Sequence, residues 1–140
     1  MSKNFYLSIF FGFFFNVILG QNPIEWITNT EKINDSTYNL ITTAKIENNW
    51  RLYSQYNEEG GAILTEFIFL DSLIIKNYSK VIEPEPITKF DPVFNLDQSY
   101  FVNQVTFNQR IVVSDYDVDF VNQTVYYQVC DDRVCIFQEQ

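Results

Sequence analysis

Tyr38-Asn39-Leu40-Ile41-Thr42-Thr43-Ala44-Lys45-Ile46 decides the fold class. Tyr38, Leu40, Thr42, Ala44 and Ile46 fall on every second position among more polar neighbours, the period of a half-buried β-strand. Similar segments lie on both sides of it. Upstream, Trp26 to Ile33 reads as a first strand, and Asn34-Asp35-Ser36 supplies the turn between the two. Downstream, Asn48-Asn49 marks a turn, Trp50-Arg51-Leu52-Tyr53 resumes the extended pattern, and Glu58-Glu59-Gly60-Gly61 marks a loop. Thr65 to Leu70, Leu73 to Lys76, Tyr100 to Phe107, Arg110 to Val113 and Thr124 to Val129 read as further strands. Asp115, Asp117 and Asp119 sit between the last two and read as a solvated loop. No segment carries helical periodicity, and no internal repeat is present. The pattern predicts an all-β fold, an immunoglobulin-like antiparallel β-sandwich.

Asn77 to Pro92 breaks the alternation. It holds Pro84, Pro86 and Pro92, three of the four prolines in the chain. A proline cannot donate to a sheet ladder, so this stretch is excluded as a central strand and is expected as a stiff surface excursion.

Composition narrows the function classes. Lys3 followed by the apolar run Phe5 to Leu19 has the form of a secretory signal peptide, with Gly20 at the cleavage position. Residues 1–20 are therefore expected as leader and residues 21–140 as one exported domain, periplasmic or secreted. The chain has 18 acidic and nine basic residues, and loss of Lys3 with the leader raises the acidic excess to ten. Such a charge argues against nucleic acid or an anionic membrane surface as partner, since both require clustered Lys and Arg. The absence of histidine removes Ser-His-Asp and Cys-His catalysis and the commonest zinc ligand. No cofactor or metal is expected, and a monomer is.

Chemistry then falls to Cys130-Asp131-Asp132-Arg133-Val134-Cys135, the two cysteines of the chain. Asp131 and Asp132 favour a turn that brings the two Cα atoms into the ~4.4–6.8 Å window of a disulfide. Closing so short a loop removes only about 2 kcal/mol of unfolded-state entropy, a weak staple beside one joining distant strands. Strained, exposed disulfides are the exchangeable ones. Spacing alone leaves a structural staple and a redox-active pair both open. The neighbouring carboxylates disfavour thiolates and so point toward a pair that donates electrons, with Arg133 offsetting part of the effect.

Five segments together resemble the N-terminal periplasmic domain family of the thiol:disulfide interchange protein DsbD. They are Trp50-Arg51-Leu52-Tyr53-Ser54-Gln55, Thr65-Glu66-Phe67-Ile68-Phe69, Phe90-Asp91-Pro92-Val93-Phe94, Val105-Thr106-Phe107-Asn108-Gln109, and Tyr127-Gln128-Val129-Cys130-Asp131-Asp132 with Cys135. The resemblance implies an immunoglobulin-like sandwich with the cysteines on a C-terminal hairpin. It implies thioredoxin-fold proteins as electron donor and acceptor, with Cys130 forming the mixed disulfide and Cys135 resolving it. It also implies a cap loop with Phe94 over the pair and Asp91 beside it, whereas Trp50 and Tyr53 are read as core. Departures from the family pattern are Ile136-Phe137 after the second cysteine, where prolines are usual, and a chain that stops at Gln140, short of an expected final strand. A non-catalytic secreted β-sandwich with a structural disulfide is the competing reading.

Overall fold

A computed structural model describes residues 22–70, 74–114 and 121–140. The expected leader and Asp115, Asp117 and Asp119 lie outside the described residues. Among the described residues ten strands follow one another: β1 (Ile24–Lys32), β2 (Thr37–Ile46), β3 (Arg51–Tyr53), β4 (Glu66–Phe69), β5 (Ile75–Tyr78), β6 (Ile87–Asp91), β7 (Leu96–Phe101), β8 (Gln104–Val113), β9 (Gln123–Cys130) and β10 (Cys135–Glu139). No helix occurs among the described residues, so none is long and apolar enough to cross a membrane.

The strands form two antiparallel sheets, as the alternation of β2 requires. One has the order β1-β2-β8-β5 and the other β10-β9-β3-β7-β6, with β4 also paired to β9. On β2, Leu40, Thr42, Ala44 and Ile46 are buried, while Ile41 and Thr43 between them are only partly so. Those inward side chains meet the inward side chains of the second sheet, including Leu52, Tyr127 and Val129, all 0% exposed. Trp26 closes this core, with its ring 5.2 Å from Tyr127 and 6.1 Å from Phe107. Aromatic side chains interleave here with aliphatic ones from both sheets.

β3 and β4 lie end to end along one side of β9. Arg51 and Leu52 pair with Cys130 and Val129, whereas Glu66 to Phe69 pair with Tyr126 to Gln123. Between them the chain leaves the sheet at Ser54 and returns at Thr65. That excursion crosses the outer face of the second sheet and forms part of the site.

Three sequence expectations are corrected. Tyr100 to Phe107 is not one strand but parts of β7 and β8, which belong to different sheets. The break lies at Asn103, whose φ of 63° is left-handed, a conformation Asn tolerates better than most residues. The proline-bearing excursion does contain a strand, β6, but it stands at the sheet edge, paired only with β7. Finally, residues after Cys135 do form a strand. β10 pairs with β9 from Cys135–Cys130 to Glu139–Tyr126, and Gln140 continues the contact by exchanging two backbone hydrogen bonds with Val125.

Candidate redox site

The site occupies the outer face of the second sheet. Alternation along β9 sends Val125, Tyr127 and Val129 into the core and turns Tyr126, Gln128 and Cys130 outward. On β3, likewise, Leu52 points inward while Arg51 and Tyr53 point outward. Tyr53 pairs across with Tyr100 of β7, and Arg51 with Cys130. Cys130, Tyr53 and Ala62 form a small buried cluster on this face, with Phe94 and Tyr100 packed against it.

Cys130 and Cys135 stand directly opposite each other at the start of the β9–β10 hairpin and are joined as a disulfide. The Asp131 N–H donates to the Val134 carbonyl at 3.0 Å, so the next pair outward is hydrogen-bonded and the cysteine pair is a narrow, non-hydrogen-bonded one. This explains a Cα separation of 4.1 Å, closer than the window expected for a bridged turn. The turn itself is built by Asp131, whose Oδ1 accepts from the backbone N–H groups of Arg133 and Val134, both at 2.7 Å. Those two bonds hold the Asp131 carboxyl below its ordinary pKa.

The two cysteines are unequally exposed. Cys130 is 2% exposed, whereas Cys135 is exposed. Burial of Cys130 comes from two loops. One is the β6–β7 turn: Asp91 accepts from Val93 N–H at 2.9 Å to shape it, and Phe94 packs edge-on against Tyr53 with ring centres 6.0 Å apart. Tyr53 O–H donates to Asp91 Oδ2 at 3.4 Å. Burial of the phenol, and next the Asp91 charge, push the Tyr53 pKa up to about 12. The turn thus brings Phe94 and Asp91, the two residues expected in a cap, onto the cluster that holds Cys130.

The other cover is the 54–65 excursion, fixed by two buried glutamines. Ala62 N–H donates to Gln98 Oε1 at 2.8 Å and Ile63 N–H to Gln128 Oε1 at 2.7 Å. Thr65 Oγ1 adds a 2.6 Å bond to the Tyr53 carbonyl. A Cβ at Gly61 would come within 2.5 Å of the Gln98 amide, so any larger residue would have to displace the side chain that holds Ala62. Gln128 also donates its Nε2–H to Cys130 Sγ at 3.5 Å.

Arg51 clamps the hairpin from the open side. Its Nη2 donates to the Asp131 carbonyl and to Asp132 Oδ1, each at 3.1 Å, and its guanidinium lies 5.8 Å from the Tyr100 ring centre. From sequence, Asp131 and Asp132 are charges beside the thiols. In the structure one carboxylate is taken up by the turn and the other is ion-paired, which weakens that electrostatic argument. Arg51, Tyr53, Gln98, Tyr100 and Gln128 escaped the sequence reading. Their signal was available in part, since residues at even offsets from Cys130 and Tyr53 share their face.

The site is thus a cross-strand disulfide on the outer face of a β-sandwich, with one cysteine buried and the other exposed. The chain belongs to the family described as the N-terminal region of the thiol:disulfide interchange protein DsbD, whose profile matches residues 25–140. Among solved structures it is similar to the N-terminal periplasmic domain of ScsB from Proteus mirabilis, at 16% identity and a TM-score of 0.65. That match covers 86% of this chain but only 45% of the other, so the chain spans under half of that relative. A weaker likeness is to the reduced DsbD N-terminal domain of Neisseria meningitidis, at 12% identity, a TM-score of 0.45 and 82% coverage of each chain. No curated protein sequence matches the chain.

Proposed function

We propose that the domain is a periplasmic relay that passes reducing equivalents between thioredoxin-fold proteins through Cys130 and Cys135. The carrying observation is the unequal exposure of the two cysteines, Cys130 buried in the cluster that Phe94 packs against and Cys135 exposed. In-line attack on a disulfide needs access to one sulfur and a leaving group on the other. Cys135 offers the access and Cys130 the departure. This reverses the roles implied by family position, in which Cys130 formed the mixed disulfide.

In the oxidising half-cycle, a partner thiolate attacks Cys135 Sγ. A partner–Cys135 disulfide forms, the Cys130–Cys135 bond breaks, and its electron pair leaves on Cys130. A second partner thiolate then displaces Cys135, so the partner dithiol is oxidised and the domain carries two electrons as a dithiol. The same steps in reverse reduce an acceptor. Phe94 and Asp91 act as the cap over Cys130 until a partner displaces it. The apolar leader and the family together support export to the periplasm.

Trapping tests the reading. Cys130→Ser should accumulate a reductant-sensitive adduct with thioredoxin-fold proteins through Cys135, and Cys135→Ser should accumulate far less. Equal trapping would overturn the order of attack. No adduct from either variant would leave the disulfide as a structural staple.

A further inference from the structure

We infer that Gln128 is a catalytic residue of the exchange reaction, stabilising Cys130 as it departs as a thiolate; the inference rests on the relay reading and deepens it. Exchange runs faster when the leaving sulfur is the more stable anion. Cys130 leaves into apolar surroundings, the Tyr53–Ala62–Phe94–Tyr100 cluster, and burial of that kind raises a thiol pKa. One polar contact opposes it: the Gln128 Nε2–H at 3.5 Å from Sγ.

The orientation of that amide is fixed. A primary amide could present either its oxygen or its NH₂ to the sulfur, and the wrong choice would repel the anion. Ile63 N–H settles this by donating to Oε1 at 2.7 Å, which leaves the NH₂ end for Cys130. Gln128 is 9% exposed, so no water competes freely for the donor. Alternation places it two residues from Cys130 on the same face of β9, within reach of the sulfur with no change of backbone. The 54–65 excursion thereby acts on the chemistry at one remove, by holding the catalytic amide in its working orientation.

In bond terms, the electron pair of the broken Cys135–Cys130 bond settles on Cys130 Sγ while the partner sulfur takes over Cys135. The Gln128 N–H hydrogen bond strengthens as that charge develops, and no proton is transferred by the amide. When the reduced domain later resolves its mixed disulfide with an acceptor, the same bond keeps Cys130 ionised for attack on Cys135.

Two variants of the exported domain test this. Gln128→Met removes both donor and acceptor. Gln128→Glu keeps the acceptor for Ile63 N–H but turns an oxygen toward the sulfur. The oxidised proteins are opened with dithiothreitol in alkaline buffer, where the introduced carboxyl is ionised. Both should open about tenfold more slowly than the parent, the scale of one hydrogen bond to an ionised group. In a Cys135→Ser background, thiolate ultraviolet absorbance should show Cys130 titrating about one pH unit higher in both variants. The other ionisable groups around the pair, Arg51, Tyr53, Asp91, Tyr100, Asp131, Asp132 and Arg133, are unaltered in these comparisons. A Gln128→Glu protein that opens and titrates like the parent would overturn the inference and leave Gln128 as an anchor for the loop. Both readouts use a small dithiol or none. Normal Gln128 dependence without any partner adduct would therefore strike the relay reading and spare this one.

Discussion

The two faces of β9 and β3 are buried to the same degree by different means. Leu52 and Val129 face inward and are 0% exposed; Tyr53 and Cys130 face outward and are 1% and 2% exposed. The inner face is covered by a second sheet, apolar side chain against apolar side chain. Its outer counterpart is covered by a turn and a loop, held by glutamine amides, a phenol and a threonine hydroxyl. Sheet-on-sheet packing opens only when the domain unfolds. A loop pinned by a few hydrogen bonds can open locally at a fraction of that free energy. The same strands therefore supply stability on one side and a shielded but reachable sulfur on the other.

The largest effect that sharpens this contrast is expected at Leu52. Leu52→Ala should lower unfolding free energy by about 2–5 kcal/mol, the usual range for a buried leucine. Denaturant titration would read the loss, and the folded fraction should keep the parental rate of disulfide opening. If opening accelerated as much as unfolding, the two faces would not be separable.

Phe94→Ala should do the opposite. Phe94 is only partly buried, so stability should fall by about 1 kcal/mol. Opening of the disulfide by a small thiol, followed by quenched mass analysis, should accelerate about three- to tenfold, because water reaching Cys130 stabilises it as the departing thiolate. An unchanged rate would deny Phe94 its capping role.

Tyr53→Phe should have the smallest effect at neutral pH, because it deletes one 3.4 Å hydrogen bond to Asp91. Its signature is at alkaline pH. The folded-state pKa lies near 12, above the ordinary value of 10, so folding favours the protonated phenol. The stabilisation is complete below pH 10 and is lost as pH rises through about 12. Thermal melts between those values should fall more steeply in the parent than in Tyr53→Phe. Parallel curves would show that folding does not hold the Tyr53 phenol protonated.

The inner face was legible in the sequence and the outer face largely was not. Tyr38 to Ile46 announced its strand because one side of β2 is apolar and the other is polar. β9 gives a blurred signal, since Gln128, Val129 and Cys130 are buried in succession although they alternate in direction. Where both faces are covered, period-two polarity disappears. Tyr53 was read as core because a buried tyrosine looks alike on either face. β10 was expected only through the hairpin that the resemblance implied, because Cys135, Phe137 and Glu139 are exposed along an edge and the pairing partner, not the composition, fixes that strand. The cysteine pair itself was legible as a bridge, but the order of sulfur accessibility depends on Phe94 and the 54–65 excursion, both distant in sequence.

The end-to-end placement of β3 and β4 along β9 bears on how such a domain diversifies. The chain departs from a line of pairing and rejoins the same line, so residues between Ser54 and Thr65 can lengthen, shorten or change without shifting the register of either strand. Loop-closure cost grows slowly with length. Recognition of new partners can therefore be tried out beside the redox pair, over the buried Cys130, while the hairpin and the sheet order are inherited intact.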